Sequence, residues 1–200
     1  MAKIRMTKNA LRDEQRKKDQ LEKYLPTLQL KKALLQSEVN NLKVRISDEE
    51  KKLDSLKQVL IDFSAIFSMP FEGDLLHFAK VKHVEKTYEN IAGVDLPIFQ
   101  SIEFHKKDYM LFDTPIYTES FIDQVREYVQ QKEKLYVEKE KLWILTKELQ
   151  DVSIRVNLFE KILIPRSNSH IKKIKVFLGD QELASVAQAK VAKSKLKEPV

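Results

Sequence analysis

Apolar residues recur along two long stretches of this chain at alternating spacings of four and three. In the first stretch the positions are Leu35, Val39, Leu42, Ile46, Glu49, Leu53, Leu56, Leu60, Phe63 and Phe67, and Glu49 is the one polar member. In the second they are Leu142, Leu145, Leu149, Val152, Val156, Phe159 and Leu163. An average spacing of 3.5 residues keeps a stripe of side chains on one face of a helix, the seam along which two helices pack knobs into holes. The segment between the two stretches lacks this period. The chain is therefore expected to fold back on itself: all-α dominated, with a long antiparallel two-helix coiled coil formed by the N- and C-terminal segments and a small middle segment of short helix and β-hairpin.

The first helix is expected from about Lys8 to Ser68, which at ~1.5 Å per residue would extend roughly 90 Å. Pro26 falls inside it. Leu21, Leu25 and Leu28 stay in phase with the downstream seam on both sides of that proline, so a kinked helix is expected in place of two helices. Met69, Pro70 and Gly73 end the pattern. In the middle segment, Val81 and Val84 on one side and Ile98, Ile102 and Phe104 on the other alternate around the bend Asn90 to Pro97, which predicts a β-hairpin. Asp113 with Pro115, or Thr118 slightly later, can open the second helix, which runs past Trp143 towards Ile164, where Pro165 poses the problem of Pro26 again. The expected organisation is one folded unit of three parts: an N-terminal helix over residues 1–68, a middle segment over 69–114, and a C-terminal helix with a basic tail over 115–200.

Composition sharpens this picture. A third of the 200 residues are charged and only three are glycine, which favours long helices and a thin core over a turn-rich sheet. The absence of cysteine excludes a disulfide framework and a Cys-based zinc site, and fits a reducing cytoplasm. No apolar run approaches the ~18 residues of a membrane span, and the basic start is followed by no apolar segment, so a soluble chain without a membrane span is expected. The net charge of +6 is unevenly spread. Residues 1–23 hold eight Lys or Arg against four acids, and residues 161–200 hold nine against three, so the chain between them is net acidic. Antiparallel helices would bring both basic ends to one tip, a field suited to an acidic partner or nucleic acid, or simply a solvated surface. Neither terminus interleaves aromatic side chains with its cations, as a base-stacking platform requires, and no nucleic-acid partner is expected.

Catalytic patterns are missing. Gly73, Gly93 and Gly179 lie too far apart to build a phosphate-cradling loop or a dinucleotide fingerprint. His77, His83, His105 and His170 lack the i, i+4 spacing that sets two imidazoles on one helical face. Acids mostly alternate with lysines or arginines along the predicted helices, as Asp151 does with Arg155, the arrangement of solvent-facing helix support. Trp143 sits beside Leu142, where it either packs on the flank of the coil or anchors a partner. No catalytic, cofactor-binding or metal-binding residue is assigned, and no cofactor is expected.

One run carries more than its periodicity. Residues 155–165, Arg-Val-Asn-Leu-Phe-Glu-Lys-Ile-Leu-Ile-Pro, resemble the Arg-Val-Asn-x-x-Glu-x-x-x-Ile-Pro signature of the D subunits of V-type and A-type ATPases and ATP synthases, through Arg155, Val156, Asn157, Glu160, Ile164 and Pro165. Thr7-Lys8 at the start, and Asn90, Gly93, Val94 and Pro97 in the middle, are similar to two further family motifs in the same order. The resemblance covers most of the chain.

It implies a central-stalk, rotor subunit with no active site, transmitting torque between a membrane rotor ring and a catalytic head, for ATP synthesis or for ATP-driven transport of protons or sodium ions. The implied partners are the catalytic and non-catalytic nucleotide-binding subunits of the head, a small F subunit alongside the coil, and a connector to the rotor ring. The implied location is peripheral, on the cytoplasmic face of a membrane. A generic coiled-coil tether or adaptor would share the heptads, yet has no reason to carry the Asn90 to Pro97 bend and the Arg155 to Pro165 run together.

The seam also sets a register, in which facing positions sum to about 184 if the hairpin closes with little stagger. Cysteines placed at Leu35 and Leu149 should then crosslink within one chain in dilute solution, since a disulfide needs Cα atoms ~4.4 to 6.8 Å apart. Exclusively intermolecular crosslinks would contradict the folded-back arrangement.

Overall fold

A computed structural model describes residues 5–64, 79–105 and 117–195; the expected end of the first helix near Ser68, the stop at Met69 to Gly73 and the alternative start at Asp113 with Pro115 lie outside them. The order of elements is α1 (Lys8–Ser64), β1 (Val81–Ile91), β2 (Val94–Phe104), α2 (Thr118–Leu158), a π-helical turn (Phe159–Leu163) and α3 (Ile164–Lys195). Long antiparallel helices with a small β-hairpin between them match the expected fold class. The chain divides into two compact units, one of residues 1–32 with 151–200 and the other of residues 33–150.

Helix α1 starts where its chemistry allows. The Thr7 hydroxyl accepts the Ala10 N–H at 3.2 Å and the Thr7 carbonyl accepts the Leu11 N–H at 3.0 Å, so Thr7 satisfies donors that a helix N-terminus leaves open. The helix runs through Pro26 without interruption. Burial along it keeps the heptad period beyond the stretch read from the apolar residues. Leu11, Glu14, Lys18, Leu21, Leu25, Leu28, Lys32, Leu35, Val39, Leu42, Ile46, Glu49, Leu53, Leu56 and Leu60 are all withdrawn from solvent at spacings of three and four.

In the unit of residues 33–150, the core is built from Leu35, Val39, Leu42 and Ile46 of α1, Ile122, Leu135, Val137 and Leu145 of α2, and Leu96 of β2. Two residues, Ala92 and Gly93, join the strands, with φ of 54° and 79°. Positive φ at both central residues is the type I′ geometry whose twist suits a two-residue hairpin. The Asn90 side chain closes the turn, its Oδ1 accepting the Gly93 N–H at 3.0 Å while its Nδ2 donates to Asp95 Oδ1 at 2.6 Å. Pairing runs from Ile91 with Val94 out to Val81 with Phe104, and two irregularities leave Gln100 and Lys82 as extra residues.

The hairpin lies along α2. Lys86 Nζ donates to Glu140 at 2.7 Å and stands 5.9 Å from the centre of the Tyr136 ring, and buried Lys141 reaches Glu89 at 4.0 Å. Towards the open end, the Arg126 guanidinium donates to the His105 carbonyl at 2.6 Å and lies 5.1 Å from the Phe104 ring. The Glu140 carboxylate holds the Lys86 ammonium above its ordinary pKa, outweighing the opposite pull of burial.

In the unit of residues 1–32 and 151–200, Lys8 pairs with Glu182 at 3.2 Å and Glu14 with His170 at 3.6 Å. As the first position rises the second falls, so the two arms run antiparallel there. Its interior holds Val152, Val156, Ser167 and Ile174. Beyond Gly179 every described residue of α3 is exposed, with Glu182 meeting Lys8 at the surface, and the last turns to Lys195 are solvated.

The hairpin turn gives a direct check on its backbone. Ala92→Asn should slow amide exchange at Ile91 and Val94, because asparagine tolerates the left-handed region better than alanine, whereas Gly93→Val should destabilise the turn by about 1–2 kcal/mol and speed that exchange.

Candidate functional site

Two features break the regularity of the coil, and they are where its chemistry concentrates. The first is Glu49, whose carboxylate occupies a half-buried seam position between Ile46 and Leu53. A charge there needs partners. The Gln131 side-chain amide donates to its Oε2, Lys134 Nζ approaches Oε1 at 3.2 Å, and Lys52 of the same helix reaches Oε1 at 3.1 Å. Glu50 meets Lys139 at 2.7 Å next to this layer. The amide of Gln131, followed by Lys52 and Lys134, holds the Glu49 carboxyl down at about 2 from its ordinary 4.5, against a burial that pulls the other way. Glu14 with His170 and Glu49 with Lys134 lie within one position of the expected register, whereas Lys8 with Glu182 and Glu50 with Lys139 lie five or six positions off it.

The second feature is the π-helical turn. Ile164 donates its N–H to the Phe159 carbonyl, five residues back, and Pro165 follows at once. Proline has no N–H to offer Lys161, and its ring crowds the carbonyl four residues behind it. A locally widened turn relieves that crowding and lets the helix continue to Lys195. It also inserts one residue into the seam: withdrawn positions step from Phe159 to Leu163 and again from Leu163 to Ser167 by four, then to His170 and Ile174. A groove of about 790 Å3 opens beside this slip, with Leu21, Tyr24, Phe159, Leu163, Ser167 and His170 in its wall. Small Ser167, in a seam position where leucine would fill the layer, accounts for part of the opening.

Of the seam positions read from sequence, Leu35, Val39, Leu42, Ile46, Leu145, Val152 and Val156 are buried, while Leu53, Leu56, Leu142, Leu149, Phe159 and Leu163 are half-buried. The signature residues divide by role. Val156 belongs to the core and Ile164 is half-buried; Arg155, Asn157, Glu160 and Pro165 face solvent. In the hairpin, Asn90 and Gly93 make the turn at the surface, Val94 is half-buried and Pro97 is fully buried. Trp143 is 64% exposed with Lys147 over its ring at 5.4 Å, which places it on the outer flank. Sequence reading missed Gln131 and Lys134. The signal was present in Glu49 itself, since a lone acid in an apolar seam requires a donor opposite.

Comparison with other proteins adds what geometry alone does not. Residues 10–194 match the family described as the ATP synthase D subunit. The V-type ATP synthase D subunit of Chlamydia caviae is 42% identical over 196 residues, covering 98% of this chain and 94% of that protein. That of Chlamydia felis is 43% identical over 196 residues with the same coverage, and that of Chlamydia pneumoniae 40% identical over 194 residues, covering 96% of this chain and 93% of its own length.

The depressed Glu49 carboxyl predicts an acid-dependent contribution to stability. A group whose folded pKa is lowered stabilises the fold above its unfolded value and loses that effect as pH falls to its folded value. The difference in unfolding free energy between wild type and Glu49→Gln should therefore be full above pH 4.5 and shrink as pH falls towards 2. Urea titrations at a series of pH values measure it, and a difference constant across that window would contradict the assignment.

Proposed function

We propose a function for this chain from one premise: it belongs to the ATP synthase D-subunit family. It is a central-stalk subunit of a V/A-type ATPase, part of a multi-subunit complex. Its work there is mechanical: it carries torque between the membrane rotor ring and the catalytic head and has no catalytic step of its own. The observation that carries this reading is the match along nearly the whole chain, through both helical arms and the hairpin. A tether or adaptor would account for the arms but not for the hairpin between them.

Torque-bearing is assigned to the seam from Leu35 to Leu56 and from Leu142 to Leu163. Leucines and valines locked between helices resist relative twist because turning one helix would expose them, at roughly 1.5–3 kcal/mol per fully buried side chain. The middle segment, residues 69–114, is assigned to the connector and rotor-ring end. The tip with Lys190, Lys193 and Lys195 is assigned to the nucleotide-binding head. A small F subunit is placed along the flank carrying Tyr128, Tyr136 and Trp143, of which Tyr136 and Trp143 are more than half exposed. No helix among the described residues is long and apolar enough to cross a membrane. We place the protein as a peripheral component on the cytoplasmic face.

The division of labour between seam and tail tests the reading. Val156→Asp buries an unpaired charge and should cost roughly 3–5 kcal/mol, so ATP-driven ion transport by the reconstituted complex should fall steeply. Deletion of residues 184–200 removes the exposed last turns of α3 together with the residues after them and should weaken assembly and transport less. A tail deletion more damaging than Val156→Asp would place torque entry in the tail and overturn the assignment.

A further inference from the structure

A heptad seam has a weakness that the layer at Glu49 answers. Sliding one helix past the other by seven residues presents the same kind of side chain to every apolar layer. At the alignment set by Glu49 with Lys134, Leu42 lies level with Leu142; the positions seven residues to either side are Leu135 and Leu149. At the Leu42 layer leucine would meet leucine in all three alignments, so that layer does not discriminate among them, while Val39, level with Leu145, would meet Glu138 or Val152 in the slides.

The polar layer does discriminate. In the observed alignment Glu49 faces two donors of α2, the Gln131 amide and the Lys134 ammonium. A slide one way brings Gln124 and Glu127 to those places, and a slide the other way brings Glu138 and Lys141. Either slide sets a glutamate where a donor stands. In the second case the remaining cation, Lys141, is also buried and already engaged with Glu89 of the hairpin at 4.0 Å. In that second slide Glu50 also exchanges Lys139, its 2.7 Å partner in the observed alignment, for Thr146, whereas in the first it would meet Lys132.

We propose that Glu49, Gln131 and Lys134 form a register lock, which stabilises one alignment of α1 and α2 and rejects both one-heptad slides by opposing Glu127 or Glu138 to Glu49. Glu49 serves alignment here more than stability. A polar residue in a coiled-coil seam costs packing energy and gains uniqueness of register. In a helix pair that transmits force, slippage would dissipate the motion it carries.

The chain has no cysteine, so introduced pairs report without background. Cysteines at Leu42 and Leu142 read the observed alignment, while cysteines at Leu42 and Leu135, or at Leu42 and Leu149, read the two slides. With Glu49 in place, only the first pair should close. The decisive background is E49K with K134E. It keeps opposite charges together in the observed alignment, yet makes Glu127 and Glu138 attractive to the new lysine. A residue that merely stabilised the fold would be rescued by this swap; a register lock would be opened by it. We expect the slid pairs to close at least ~10-fold more in that background than with Glu49 present, since like-charge opposition is the term removed. Closure of the observed pair alone would overturn the proposal. Far-ultraviolet circular dichroism confirms that the helices persist. Should the double variant not fold, E49Q, which keeps an amide partner for Gln131 but removes the repulsion, is read in the same way with the same two outcomes.

Discussion

The structure depends on a core one side chain deep. Two paired helices bury only their facing stripes, so a single line of residues decides whether the arms associate and at which alignment. From Leu11 to Leu60 that line is withdrawn from solvent, while Tyr24, Leu30 and Val44, off the line, are each 63% exposed. A polar side chain on the line has few neighbours to satisfy it: Lys18 turns to Glu22 of its own helix, and others reach the opposite arm. Glu14 finds His170, and Glu49 finds Gln131 and Lys134. Of these two polar layers, the one at Glu49 is where we propose that alignment is chosen.

The second long helix serves two neighbours, and that shaped what could be read in advance. On α1 one unbroken heptad of withdrawn positions runs to Leu60, so its seam from Leu35 onward was legible directly. On α2 the seam became clear only from Leu142. Upstream, Leu135 and Glu138 sit on the stripe continuous with Leu142 and Leu145, whereas Val137 and Lys141 are buried where Lys86 and Glu89 of the hairpin meet the helix. Two overlapping stripes blur a 3.5-residue period. For that reason the partners of Glu49 did not stand out, although the need for them did.

Local chemistry was legible where one residue type decides the backbone. Asn90 and Gly93 announced a tight turn, and the turn forms at Ala92 and Gly93. Thr118 was one of two starts expected for the second helix, and α2 begins there. Pro165 was legible only as an obstacle. Its accommodation by a π-helical turn arises from the Ile164 to Phe159 hydrogen bond, a choice among backbone alternatives that side-chain pattern does not distinguish. Ser167, which lines the groove behind that turn, was likewise hidden, because the inserted residue moves it into the seam from a position that an unbroken heptad would leave off it.

We propose that this chain turns as the shaft of a rotary ATPase. The most direct measurement fixes the nucleotide-binding head of the assembled complex to a surface, attaches a bead to an exposed site on this chain, and supplies ATP. The account predicts unidirectional, stepwise rotation of the bead, stopping when ATP is removed. A bead that stays fixed relative to the head while ATP is hydrolysed would contradict it.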